Sequence, residues 1–174
     1  MEKADRLGSS YGLFPQNMLE ILLAHEVNRS RRYPNPVSVL QLSLQFSQGS
    51  PAQFVESGQA AVIRMLNSTL RESDLPGQYQ GNFLIVLPAT QCTGARIAAE
   101  RLMAAISGTP PFRDSGIIEV AVNIGIASHP GGEGISMSRL LSETSSALVA
   151  ARHRGLRTIV TFGEIEGQPA KPVC

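Results

Sequence analysis

RESDLPGQYQGNFLIVLP, residues 71–88, is the stretch whose reading decides the fold. It runs as a helix end, a short strand, a tight turn and a second strand. The run FLIVLP, residues 83–88, is almost uniformly apolar, as a central strand covered on both faces must be. The entrance of this hairpin carries an arginine and an aspartate, Arg71 and Asp74. Its tip carries only neutral amides, Gln80 and Asn82.

Working outward, VSVLQLSLQF at 37–46 alternates Leu40, Leu42, Leu44 and Phe46 with Gln41, Ser43 and Gln45. That period of two predicts a strand with an apolar face and a polar face. Residues 15–33 place Met18, Leu22, Leu23 and Val27 at helical spacing, and the prolines of RRYPNP stop that helix. Residues 52–74 read as a long helix with Phe54, Ala61, Val62, Met65, Leu66 and Leu70 on its apolar side, so that Arg71 and Asp74 fall at its exposed end. CTGARIAAERLMAAI, beginning at Cys92, is a helix with Ala98, Leu102, Ala105 and Ile106 on one stripe. In IIEVAVNIGIAS, Ile118 to Ile126 alternate as a second long strand. HPGGEG turns the chain into a last helix over 136–154, and RTIVTF is the final strand. Helix, strand, helix, hairpin, helix, strand, helix, strand predicts one α/β domain over residues 5–163 around a central mixed sheet. A flexible tail is expected over 164–174.

The composition sets outer bounds. Of the 174 residues, 43% are hydrophobic and 17% charged, which supplies a core and excludes disorder. A net charge of +1 excludes a nucleic-acid-coating protein and a polybasic membrane binder, and the short runs Arg29–Arg32 and Arg152–Arg154 stand far apart. No apolar stretch approaches the roughly 20 residues that cross a bilayer, and MEKADRLGSS has no apolar signal region. Cys92 and Cys174 lack metal-ligand spacing, which fits reduced thiols and a cytoplasmic protein. His25, His129 and His153 have no mutual spacing and read as packing or surface residues.

Five landmarks in order resemble the GGDEF domain, the diguanylate cyclase module, over about residues 5–163. YGLFPQNMLE resembles its opening segment, and RRYPNPVSVLQLSLQF its helix end and first strand. LRESDLPGQYQGNFLIVLP resembles the signature hairpin with a leading R-x-x-D. VNIGIAS and ALVAARHRGLRTIV resemble the later strand and the last helix. The resemblance implies a central, mostly antiparallel mixed sheet of about five strands flanked by helices. It also implies an activity, condensation of two GTP molecules into cyclic di-GMP with two divalent cations, which needs carboxylates to fix hard metal ions. This sequence departs from the family at each of those positions. Ser43 and Gln45 stand where the first strand carries aspartates, and Asn82 stands where a glutamate precedes the signature phenylalanine. The hairpin is one residue short. Of the 14 acidic residues, none lies between Glu26 and Glu56 or between Asp74 and Glu100. Gln59 replaces the aspartate that reads guanine, and Arg152 stands in for a phosphate-contacting lysine, where it also suits a helix C-terminus as a solvated basic residue. No catalytic residue, metal site or cofactor is therefore expected.

The family's inhibitory site survives as Arg71-Glu72-Ser73-Asp74. Its arginine and aspartate bind guanine bases of cyclic di-GMP: arginine donates to guanine O6 and N7, and a carboxylate accepts from the N1–H and N2–H₂ edge. The bland reading is that Arg71 and Asp74 only end a helix. Two functions follow from the sequence, an inactive module that binds cyclic di-GMP and signals to a protein partner or through a homodimer, and an interaction module that binds no nucleotide. A weakly active enzyme is a third, opposed by the acid-free strands.

Overall fold

The computed structural model of the protein describes residues 12–46, 48–108 and 120–167. Helix α1, Gln16–Arg32, leads to strand β1, Val37–Phe46. Helix α2, Ala52–Thr69, precedes the hairpin strands β2, Leu75–Tyr79, and β3, Asn82–Pro88. Helix α3, Cys92–Ser107, strand β4, Val120–His129, helix α4, Met137–Arg154, and strand β5, Thr158–Thr161, complete the order. The five strands form one sheet in the order β2-β3-β1-β4-β5. Every pair is antiparallel except β4 with β5, whose connection through α4 is the crossover that a parallel pair requires. Ile117–Glu119 of the expected strand, residues 1–11 and residues 168–174 lie outside the described residues.

The hairpin forms because its link is two residues long and both adopt left-handed backbone. Gln80 has φ 48° and Gly81 φ 74°, the combination of a type I′ turn that matches the twist of paired strands. Phe83, Ile85 and Leu87 point into one core with Leu40 and Leu42 of β1, Ala61, Val62 and Leu66 of α2, and Leu102 and Ile106 of α3. Leu84 and Val86 point into a second core with Val37 and Val39, Leu19, Leu23 and Val27 of α1, and Leu140 of α4. The sheet is thus covered on both faces, and β3 is uniformly apolar for that reason.

Several sequence expectations change in the packed structure. β1 has no solvent face along most of its length: Gln41 and Ser43 are buried with Leu40 and Leu42, while Leu44 and Phe46 are only half-buried and Gln45 alone is exposed. The cause is α4. Gln41 pairs with Gly125 of β4, and Ser43 with Asn123. A Cβ at Gly125 would stand 2.5 Å from the carbonyl oxygen of Thr144 and closer still to the amide of Leu148. Without that atom the helix backbone lies directly on the sheet and roofs the polar positions. Asn123 then ties the helix end down, its Nδ2 donating to the carbonyls of Ala151 at 3.2 Å and Gly155 at 2.6 Å.

Helix α1 buries Leu19 rather than Met18, which is 44% exposed, because the stripe facing the sheet runs Leu19, Leu23, Glu26 or Val27, and Ser30. Helix α2 ends at Thr69, so residues 71–74 lie beyond it. Cys92 is in a disulfide rather than free, contrary to the reduced thiols expected; the chain's other cysteine, Cys174, lies outside the described residues. The expected tail begins with an anchored residue. Glu164 ends a short 3₁₀ turn, Phe162–Glu164, and accepts from Arg96 of α3 and, at 3.0 Å, from Arg154 of α4. Burial alone would raise its carboxyl, but these two guanidinium bonds outweigh it and hold it below the ordinary range. Among the described residues no helix is long and apolar enough to cross a membrane.

HPGGEG is a turn, as its glycines suggested, with Gly131, Gly132 and Gly134 all at positive φ. His129 holds it: Nδ1 accepts the Gly131 amide proton at 3.0 Å, which requires that nitrogen to be unprotonated. Burial, then the charge of Arg139, pushes the imidazole below its ordinary 6.5 against a smaller opposing pull from Glu143. A lowered native value means that the unfolded chain binds the extra proton first. The contribution is complete above about pH 6.5 and is lost as pH falls from there through the native value. The wild-type unfolding midpoint should therefore decline on this interval more steeply than that of His129→Asn, whose carbonyl keeps an acceptor without titrating. Urea unfolding across pH 5–8 reads the difference; parallel curves would contradict it.

Truncating Leu42 to Ala should cost about 2–5 kcal/mol, as for other fully buried leucines. Gly125→Ala should cost about 1–3 kcal/mol or more, since the added methyl meets helix backbone that cannot rotate aside. Equilibrium urea unfolding measures both. An unchanged midpoint for Gly125→Ala would show that α4 can lift without loss.

Candidate functional site

β3 carries a groove at each end, and the two differ in chemistry. At its start, Asn82 lies beside the exit of β1 and below the last turn of α4. Arg152 reaches from that turn into the gap, Nε donating to Ser43 Oγ at 3.2 Å and Nη2 to Asn82 Oδ1 at 3.1 Å. The residue read from the sequence as a solvated base is half-buried and spans two strands. Asn82 is in turn fixed by its own Nδ2, which donates to the Gln80 carbonyl at 3.4 Å. The adjoining groove, about 420 Å³, is lined by Leu44, Phe46, Gln59, Ile63, Tyr79 and Gln80 among others, and among the described residues no Asp, Glu, Lys, Arg or His stands in its wall.

This donor set does not fit the divalent ions that the resemblance implies. The side chains offered are a hydroxyl, two amides (Gln45 and Asn82) and a guanidinium, whereas hard cations are fixed by carboxylate oxygens. Among the described residues no group of three or more His, Cys, Asp and Glu side chains is placed to hold a metal ion.

At the far end, Leu70 closes α2 by donating its amide to Leu66 O at 3.1 Å, and residues 71–74 form a tight turn. The Asp74 amide donates to Arg71 O at 3.1 Å, and the Arg71 amide donates back to Asp74 Oδ2 at 2.8 Å. Arg71 is exposed, but Asp74 is only 7% exposed. The expectation that both were surface residues at a helix end therefore fails for Asp74, whose carboxylate builds the turn. The turn bond uses one of the roughly four acceptor positions of a carboxylate.

Arg71 and Asp74 share a groove of about 90 Å³ with Thr90, Ile97 and Arg101. Arg101, on α3, donates through Nη2 to the Thr69 carbonyl at 3.1 Å, which orients it against the open end of α2. Sequence reasoning missed Arg101. It is 30 positions from Arg71, and its only signal is a positive charge on a helix that comes to face carbonyls of another helix end. The two grooves are about five residues apart along β3, or roughly 17 Å at the usual strand rise.

The β2-β3-β1-β4-β5 sheet flanked by four helices is a GGDEF-like α/β fold. The family model described as the diguanylate cyclase GGDEF domain matches residues 11–158, and the chain belongs to that family. The response regulator PleD of Caulobacter vibrioides is 28% identical over 141 residues, covering 77% of this chain and 31% of PleD, so the chain spans about a third of the curated relative's length. The GGDEF domain of DgcB from Caulobacter crescentus, solved in complex with c-di-GMP, superposes with a TM-score of 0.76 at 13% identity, covering 93% of this chain and 96% of that one. The diguanylate cyclase SiaD of Pseudomonas aeruginosa, solved with its activator SiaC, superposes with a TM-score of 0.73 at 23% identity, covering 91% of this chain and 62% of that one. At these identities the two structures establish the shared fold.

Asp74→Ala should lower stability by about 1–2 kcal/mol, because it removes a charged acceptor from a backbone amide at a buried turn. Arg71→Ala should stay within about 0.5 kcal/mol, as exposed positions usually do. Thermal and urea unfolding of the two variants distinguishes them. Equal, negligible losses would mean that the turn does not depend on the carboxylate.

Proposed function

We propose that the protein is a catalytically inactive GGDEF domain that senses cyclic di-GMP at the Arg71–Asp74 turn and signals to a protein partner. The observation that carries the reading is the convergence of Arg71, Asp74 and Arg101 on one groove. Two guanidinium groups supply donors for guanine O6 and N7, and a carboxylate supplies an acceptor for the N1–H and N2–H₂ edge. Ile97 gives the rim an exposed apolar surface for a planar base.

Size constrains how such a ligand sits. Small-molecule pockets usually enclose about 300–1,000 Å³, so this groove is too small to swallow a dinucleotide. It would read a guanine edge, leaving the remainder of the ligand to a second surface from another copy or a partner protein. That requirement turns binding into assembly. SiaD, a fold neighbour solved with its activator protein, makes a protein partner a reasonable counterpart here.

Loss of catalysis is supported by the hairpin end. Phosphoryl transfer in this family's manner relies on metal ions that neutralise charge on the reacting phosphates. Ser43, Gln45 and Asn82 supply no carboxylate for them.

Calorimetry with cyclic di-GMP tests the reading. Wild-type protein should release heat on binding, while Arg71→Ala, Arg101→Ala and Asp74→Asn should each weaken affinity by about tenfold to more than a hundredfold, given roughly 1–3 kcal/mol per bidentate contact. Asparagine is chosen at position 74 to keep the turn bond. Absence of heat at tens of micromolar protein, a concentration about where micromolar binding is visible, would overturn the sensor and leave an interaction module that binds no nucleotide. Overnight incubation with GTP and Mg²⁺ or Mn²⁺ should yield no cyclic di-GMP. Turnover abolished by a substitution in this chain would overturn the inactive reading.

A further inference from the structure

We infer that Arg152 is a resident cation that takes the place of a divalent ion at the hairpin end and keeps such an ion out. The inference rests on the proposed non-catalytic reading of that end and explains how the fold sustains it. Ser43 and Asn82, the positions that the family resemblance matches to metal-binding carboxylates, are both engaged by one guanidinium, at 3.2 and 3.1 Å. They lie 109 and 70 residues from Arg152 in sequence. The domain has therefore not merely lost its carboxylates. The gap they would line is crossed by a fixed positive charge.

Three features make the placement stable. The guanidinium spreads its positive charge over a planar group that is more weakly hydrated than an ammonium and so suits a half-buried gap. Its planar fork offers two donors at the spacing of two acceptors on neighbouring elements, which a lysine ammonium does not reproduce. The backbone that delivers it is pinned at both sides, by the contact at Gly125 and by the Asn123 bonds to Ala151 and Gly155. Both acceptors bonded by Arg152 are neutral, so these bonds leave its charge uncompensated. A divalent ion entering between Ser43 and Asn82 would meet like charge as well as weak ligands.

Restoring carboxylates alone should therefore not restore a metal site. In Ser43→Asp/Asn82→Glu the new carboxylates should pair with Arg152, raising the thermal midpoint and binding Mn²⁺ poorly. In Ser43→Asp/Asn82→Glu/Arg152→Gln the same carboxylates face each other unpaired. The midpoint should then drop, and Mn²⁺ should bind at least about tenfold more tightly than to the double variant, because like-charge juxtaposition usually costs more than one decade of affinity.

Paramagnetic titration of Mn²⁺ and thermal unfolding on wild type, Arg152→Gln, the double and the triple variant give both readings. Equal Mn²⁺ affinity in the double and triple variants, including no binding by either, overturns the inference. So does additivity of the thermal shifts, since a guanidinium that bridges these positions must couple to them. Should the triple variant fail to fold, Asn82→Glu with and without Arg152→Gln makes the same comparison at a half-buried position. Turnover of GTP by wild type would overturn the non-catalytic reading instead, so the two failures are told apart.

Discussion

The absence of a Cβ at Gly125 sets how closely α4 can approach the sheet, and most of the hairpin end depends on that distance. Helices normally rest on sheets through a layer of side chains. Here the backbone around Thr144 and Leu148 lies against strand backbone, so the C-terminal half of α4 is drawn down over β1 and β4. Ser43, Gln41 and Asn123 are buried as a consequence, and each buried polar group then needs a partner. Asn123 finds helix carbonyls, and Ser43 finds Arg152. A close contact in one place thus dictates hydrogen bonding several residues away.

The two ends of β3 illustrate how one scaffold separates two kinds of chemistry. At the Asn82 end the polar groups are mutually engaged, the guanidinium with serine and asparagine, the asparagine with the turn. Beside them is a partly apolar groove whose described lining carries no charge. At the Leu87 end the groups have opposite charge and converge without closing the groove, since Arg101 is oriented by a helix-end carbonyl and Asp74 by a backbone amide. Charges held by backbone contacts are preorganised for an external partner, because little side-chain freedom remains to be lost on binding.

The sheet was legible from particular residues. FLIVLP reads as a strand covered on both sides, the tight turn before it as the closure of a hairpin, and five ordered landmarks indicate the family. Helix α4 was legible as a helix, but its height above the sheet was not. The error over β1 shows the limit: a period of two says which side chains share a face, and it carries no information about what lies over that face. Ser43 and Gln41 looked like solvent positions because they are polar. Their burial follows from a glycine more than 80 residues downstream.

The sequence by itself determined the elements, their order, the apolar strand that organises the sheet, and the lack of acidic residues across the first strand and the hairpin, because these are properties of local pattern and composition. It also preserved the pair Arg71 and Asp74 as a candidate. Only the tertiary structure decided that Asp74 is a buried part of its own turn, that Arg101 joins it from another helix, and that Arg152 crosses from α4 to Ser43 and Asn82. The last two relations join residues 27 to 109 positions apart, and distances of that kind are fixed by how helices pack on a sheet rather than by any neighbour in the chain.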